Sequence, residues 1–424
     1  MTGLLILLLG CVDPPAPLQG EQRAPTTAAP AASPTSAPAA APTVWTPTTL
    51  SGLQPVAPAR RATLAPPLPS TPEIEAALAR LVPVVTREDG DPHNPWALAH
   101  GLLALGPEFQ ATDGRLAIDA ILDAAEPVAA APSLFRFVRE QAGAPVEPHA
   151  SLILKNLSEI GVAPDRPVTV RGRSTTLADL YRGTLATTWL VAARNHTSFS
   201  SPDDTPWALQ GIAAWAPPEG LSWTAIDGTT TSLRDLTLFG VAVLVRETRF
   251  LADAARAGQP FERQGQGIFR YTCGGAHLLQ GAAYAVARGY SDEKGKLALT
   301  EQAALHRYRF PIELAIIDRA LADHPESRLK LLSQRLKFTG HWLESMTRLV
   351  LFGFAADDAA TRADLARGAA ELARSAELLA QEGAWDQLPK IRAADGQLYL
   401  DLVGDAAHAV RGLRLARGLD ALAY

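Results

Sequence analysis

The chain has 424 residues, a formal net charge of −5 and 20% charged residues. That balance offers no basic field for nucleic acid and none for an anionic membrane surface. Only two cysteines occur, Cys11 and Cys273, so stability must come from packing and not from a disulfide framework. The first element is the apolar run at residues 4–9. It is far too short to span a bilayer as a helix and reads as the hydrophobic core of an export signal.

The run ends in Leu8-Leu9-Gly10-Cys11. Small and apolar residues directly before a cysteine resemble the lipobox of bacterial lipoproteins. The resemblance implies that residues 1–10 are a cleaved signal peptide and that Cys11 is acylated, with the lipid bilayer as partner. Each buried methylene of such an anchor contributes about 0.8 kcal/mol. Val12 stands where an Asp would signal inner-membrane retention, so the resemblance also implies the outer membrane, facing the periplasm or the cell surface. Acylation of Cys11 leaves Cys273 as the sole thiol.

Residues 11–70 are dominated by Pro, Ala, Thr and Ser, with Asp13, Glu21, Arg23, Arg60 and Arg61 as the only charges. Such a chain cannot bury enough apolar surface to offset its ordering entropy. It is expected to be a disordered tether, reaching about 180 Å when fully extended and about 40 Å as a coil.

Residues 71–424 carry a helical pattern almost throughout, which predicts one all-α domain. Segments 71–85, 114–126, 292–321 and 357–383 place apolar residues at three- and four-residue spacing with charges between, as on a helix with one wet face. A second kind of helix is interleaved: NPWALAHGLLALG, PWALQGIAAWA, CGGAHLLQGAAYAVA, HWLESMTRLVLFG and GDAAHAVRGLRLA. These are apolar nearly all round and rich in Gly and Ala, so burial on every side is expected. Each carries a polar residue: His100, Gln210, His277, His341 and His408. The last four recur at intervals of 67, 64 and 67 residues, and His149 lies 61 residues before Gln210. A period of two helices plus connections marks a repeat architecture.

A second repeat pairs VRGRSTTLADL with IDGTTTSLRDL, and ADGQLYLDL (394–402) is expected to be a third, degraded copy. Each holds a Gly-centred turn after a short β-like run. Thr176 then precedes Asp179, and Ser232 precedes Asp235, at capping-box spacing. Minor hairpins leading into helices are predicted.

Alternating amphipathic and buried helices, in about five to six pairs, resemble the α/α toroid shared by protein prenyltransferases, terpenoid cyclases and several polysaccharide-active enzymes. An open helical solenoid is the competing arrangement. The toroid implies that inner-helix starts converge on a central funnel. His100, His277, His341 and His408, with Cys273, Glu344 and Asp405, would then line or approach it. Cys273 and His277 stand at i and i+4 of one predicted helix and share a face. Imidazole, thiolate and carboxylate form the ligand set of zinc, which makes His100, Cys273, His277, His341 and His408 the candidate ligands. A Cys/His pair also suits nucleophilic catalysis. The competing assignment is ordinary packing, since buried cysteine behaves as a small hydrophobe.

SPDDTPWAL (201–209) resembles the DxDDT acid motif of class II terpenoid cyclases, with Ser201 in place of the first Asp. The resemblance makes Asp203 the proton donor and Asp204 its partner. The alternative is a helix N-cap followed by Pro206. Trp96, Trp189, Trp207, Trp215, Trp223 and Trp342 are candidate stacking platforms for an envelope glycan, and Arg194, Asn195 and His196 could meet a uronate. Two function classes follow. One is a binding or envelope-structural module for a glycan or protein ligand. The other is a periplasmic hydrolase or lyase, zinc-dependent or glycan-active, that uses the funnel.

Overall fold

A computed structural model describes residues 43–191, 194, 196–199 and 204–424. Cys11 and residues 192, 193, 195 and 200–203, hence Asn195, Ser201 and Asp203, lie outside the described residues. The described chain is mostly helical with a few two- to six-residue strands, as the apolar periodicity predicts.

The helices alternate in character along the chain. α1 (Pro72–Glu88) starts at Thr71, whose hydroxyl accepts from the Ile74 amide. It keeps one apolar stripe inward. α2 (Pro95–Leu105) follows and is buried along nearly its whole length. The series continues through α3 (Ala117–Ile121), α4 (Leu152–Glu159), α5 (Ala178–Thr187), α6 (Thr205–Trp215), α7 (Leu233–Glu247) and α8 (Arg249–Arg256). It ends with α9 (Ala276–Ala287), α10 (Glu293–Asp323), α11 (Arg328–Leu351), α12 (Ala359–Gln381), α13 (Leu388–Ala394) and α14 (Gly396–Ala416).

Among the described residues, six of the buried helices pack in sequence, while the largely buried α5 lies outside that series. α2 meets α4, α4 meets α6, α6 meets α9, α9 meets α11, α11 meets α14, and α14 returns to α2. Small residues permit the approach. A Cβ on Gly281 of α9 would lie 2.5 Å from the Pro206 carbonyl of α6, and one on Gly412 of α14 would lie 3.1 Å from the Gly340 carbonyl of α11. The amphipathic helices α1, α7, α10 and α12 each cover two or more of the six from outside.

Several local expectations change. Residues 43–70, assigned to the tether, instead pack on the helical body. Leu50, Leu53, Leu64 and Leu68 are buried. Val44–Trp45 pairs with Ser222–Trp223, and Arg61–Ala62 with Leu422–Ala423. Those four leucines punctuate the Pro/Ala composition and supply the apolar area that ordering requires. The helix expected over 114–126 shrinks to the short α3 and one 3-10 turn. The chain then enters the hairpin Glu126–Val128/Ala131–Arg136. Of the two capping boxes, Ser232 accepts from the Asp235 amide at 3.0 Å, whereas Thr176 is displaced by Thr175, which donates to Asp179. The third copy at 394–402 is no hairpin: Asp395 accepts from the Leu398 amide at 3.0 Å and opens α14.

Candidate metal centre

Five helices bring polar residues to one cavity of about 300 Å³, and a sixth, α6, adds Trp207. α2 contributes Trp96 and His100, α4 contributes Lys155, α9 contributes His277, α11 contributes His341, and α14 contributes Asp405 and His408. Cys273 lines the same space from the turn before α9. The imidazoles are in mutual contact. Ring centroids of His341 and His408 lie 4.0 Å apart, those of His277 and His341 4.9 Å, and those of His277 and His408 5.2 Å. His100 meets His408 edge-on at 5.5 Å. The residue set read from the repeat period therefore converges. Glu344 is fully buried behind the rings, and Gln210 points to Glu159, 2.9 Å away, instead of into the cavity.

The reason Cys273 and His277 meet differs from the expectation. Cys273 is not on the helix. It has φ +53°, and Gly274 and Gly275 follow at +61° and +79°. A left-handed conformation is costly for a residue with a Cβ and concentrates at functional sites. The turn, not an i to i+4 register, delivers the thiol. Its Sγ and ring nitrogens of His277 and His341 lie within 4.8 Å of one another. A tetrahedral zinc needs about 3.3–3.8 Å between ligand atoms, so side-chain rotations of about an ångström would gather the set.

Protonation favours ligation. Burial drives His277 and His341 well below the ordinary imidazole range, and the neighbouring imidazoles add to it. Burial and His408 take His100 to about 3. All three are neutral at pH 7 and offer lone pairs. His100 has its Nδ1 2.7 Å from the Trp96 carbonyl, and His408 has its Nδ1 2.8 Å from Glu344. The carbonyl contact fixes the neutral His100 tautomer and leaves its Nε2 as the acceptor, and the carboxylate behind His408 is the kind of partner seen behind metal-bound imidazoles. His341 is different: it is 2% exposed and neither ring nitrogen makes a hydrogen bond, with Nδ1 lying 4.0 Å from a Glu344 carboxylate oxygen. A neutral imidazole always carries one N–H, and leaving it unsatisfied in the interior costs about 1–3 kcal/mol.

Glu344 belongs to an ionic layer beneath the rings. Arg348 bonds both Glu344 and Glu159, and Glu159 also receives Lys155 at 2.9 Å and Arg411 at 3.2 Å. Burial pushes Glu159 and Glu344 up, but Arg348 with its neighbouring cations outweighs it, and both carboxylates stay charged. Glu344 thus bonds Arg348 and His408, which suits an orienting role, and its carboxylate also lies within 4.8 Å of ligand atoms of His341 and His408. Asp405 behaves oppositely. Despite Lys337, burial lifts it well above the ordinary carboxylate range and favours its acid form relative to an exposed aspartate.

The donor set fits zinc. Cys273 with His277 and His341 gives one thiol and two neutral imidazoles, a soft, nitrogen-rich set unlike the oxygen sets of magnesium and calcium. A closed structural zinc site would leave no adjoining space, whereas these ligands line a cavity. When bound, the metal would supply a Lewis acid and a water of lowered pKa. This chain's residues would orient it through Glu344 and offer a proton from Asp405.

Other candidates fall elsewhere. Asp204 holds the N-cap position of α6 without a side-chain capping bond, is buried, and pairs with Arg139 at 3.2 Å and His149 at 3.1 Å. Asp203, its partner in the motif, lies outside the described residues, so the paired-acid arrangement has no described geometry behind it. Trp96 and Trp207 line the cavity, with His149 stacked on Trp207 at 4.0 Å. Trp215, Trp223 and Trp342 are core, two of them with their indole N–H spent on the Thr188 and His306 carbonyls. Trp189 meets His196 at the hairpin, and Arg194 is exposed; neither Arg194 nor His196 lines the cavity. Sequence reasoning passed over Lys155 and Lys337, although SLILKNLSEIG shows a Lys/Glu pair at i, i+4 in an otherwise apolar helix. Comparison with protein-family models, with characterised proteins and with solved structures found no match.

Proposed function

We propose that this chain is an exported, lipid-anchored protein whose six inner helices form an α/α toroid around a zinc centre used for hydrolysis or elimination. The return of α14 to α2 supports the closed ring over an open solenoid. The observation that carries the catalytic reading is His341. It is a buried imidazole whose two nitrogens make no hydrogen bond, set between a strained cysteine and two further histidines at the edge of an open cavity. Packing alone gives no reason to bury it so. The lipobox resemblance at Cys11 supports the anchor and, with Val12, the outer-membrane address. Among the described residues no helix is long and apolar enough to cross a membrane.

The second reading is a binding module for an envelope glycan or protein, favoured by Trp96 and Trp207 in the cavity wall. Metal content separates the two. The full chain, purified without a histidine tag and dialysed against trace zinc, is expected to hold one zinc. Cys273→Ala/His277→Ala is expected to hold none while keeping its helical circular dichroism. Metal-free wild type under these conditions would sink the zinc reading and leave the binding module.

A further inference from the structure

The ligand class of the funnel follows from its charge. Lys155 is 2% exposed, yet it lines the cavity beside the imidazoles. Burying an ammonium is expensive unless it is paired. Its partner Glu159 is shared with Arg348 and Arg411, while Glu344 serves Arg348 and His408. Arg411 and Arg414 in turn share Asp420. Among the described residues Lys155, Arg348, Arg411 and Arg414 thus face Glu159, Glu344 and Asp420, one positive charge in excess, with Arg414 and Asp420 at the part-exposed edge of the layer. The two other cations on the cavity wall are paired at the mouth: Arg139 with Asp204, and Lys337 with Asp401 at 3.1 Å.

Helix direction adds to this field. The starts of α2, α4, α6 and α9 all border the cavity, through Trp96, Leu152, Trp207 and His277. Each of these helices has eight residues or more and turns its positive end toward the space. The second, independent sign of a ligand is His341, nine-tenths buried and more, lining the same cavity with neither nitrogen hydrogen-bonded.

We infer that the funnel takes an oxyanion, a carboxylate or a phosphate, with Lys155 Nζ as its recognition group beside the imidazole cluster. This names the substrate class of the proposed centre and rests on the funnel being the working site. A neutral glycan would leave the excess charge unanswered. A uronate, a phosphate ester or a peptide C-terminus would answer it.

The test uses the full chain, metal-loaded and metal-free, titrated calorimetrically with inorganic phosphate, with acetate, and with acetamide as the neutral control. Wild type is expected to bind at least one of the two anions and not acetamide; the tighter anion distinguishes phosphate from carboxylate ligands. Lys155→Met is expected to weaken binding at least tenfold, and Lys155→Arg to restore it. Should Lys155→Met fail to fold, a wild-type crystal soaked in the bound anion carries the decision: the anion must lie within hydrogen-bond reach of Lys155 Nζ. No anion binding by wild type, equal affinity in a folded Lys155→Met, or an anion seated on Lys337 or Arg139 instead would overturn the inference. Zinc assayed on the same samples keeps the two readings apart. Metal bound without anion dependence removes only the oxyanion. Anion binding without metal removes only the zinc.

Discussion

Replacing Arg348 by Met tests the ionic layer that orients the imidazoles. Arg348 has no solvent exposure and spends its guanidinium on Glu159, at 2.9 Å to one oxygen and closer to the other, and on Glu344. Methionine fills most of the same volume, so packing changes little. What changes is that two fully buried carboxylates lose their strongest cation. Breaking a buried pair from one side costs about 3–5 kcal/mol, and that loss is expected at pH 7 in urea unfolding followed by far-UV circular dichroism. The pH dependence gives the mechanism away. In wild type both carboxylates titrate below their ordinary value of 4.5, so their contribution is present above that pH and lost as pH falls through the folded-state values. In the variant Glu344 can take a proton at higher pH, which relieves the uncompensated charge. The deficit should therefore shrink between about pH 7 and pH 4.5. As a control, the solvent-facing Arg256–Asp253 pair should cost under about 1 kcal/mol when broken. A deficit for Arg348→Met as small as that control, or one that does not change with pH, would refute the account of the layer.

Two further outcomes follow. His306 is buried and held to about 3 by burial and Arg309, against an ordinary value of 6.5. The unfolded chain takes the proton and the folded one does not, so stability is present above pH 6.5 and falls as pH drops toward the folded value. His306→Asn should flatten that fall by about 1.4 kcal/mol per pH unit, read from urea midpoints across the window; an unchanged slope would show that the imidazole is protonated when folded. Cys11→Ser should move the protein from the membrane fraction to the soluble fraction, and a variant that partitions like wild type would remove the lipid anchor from the proposal.

Much of the site was legible before folding because a repeat writes its geometry into the chain. Gln210, His277, His341 and His408 recur at a near-constant interval, and elements one repeat apart become neighbours when the repeats pack side by side. Their number and order in the chain were enough to name three of the four rings now in contact. The interval could not say that Gln210 would turn to Glu159 while the histidines turned to the cavity, because which way a residue faces on an all-apolar helix depends on helix rotation. No amphipathic stripe sets that rotation here.

The amino-acid order alone determined the helical class, the alternation of amphipathic and buried helices, and the capping of α7 by Ser232. All of these rest on local periodicity and on hydrogen bonds a few residues long. Tertiary structure decided what depends on distant partners. It ordered residues 43–70 by offering a surface to four scattered leucines. It cut the helix expected over 114–126 to one turn and a hairpin. It brought Cys273 to His341 through three left-handed residues, a conformation that Gly274 and Gly275 adopt freely but Cys273 does not. It also joined Lys155, Glu159, Arg348 and Arg411 across up to 252 positions of chain. Charges so far apart carry no signal in a sequence window; only burial in a shared interior, where water cannot screen them, makes them one group.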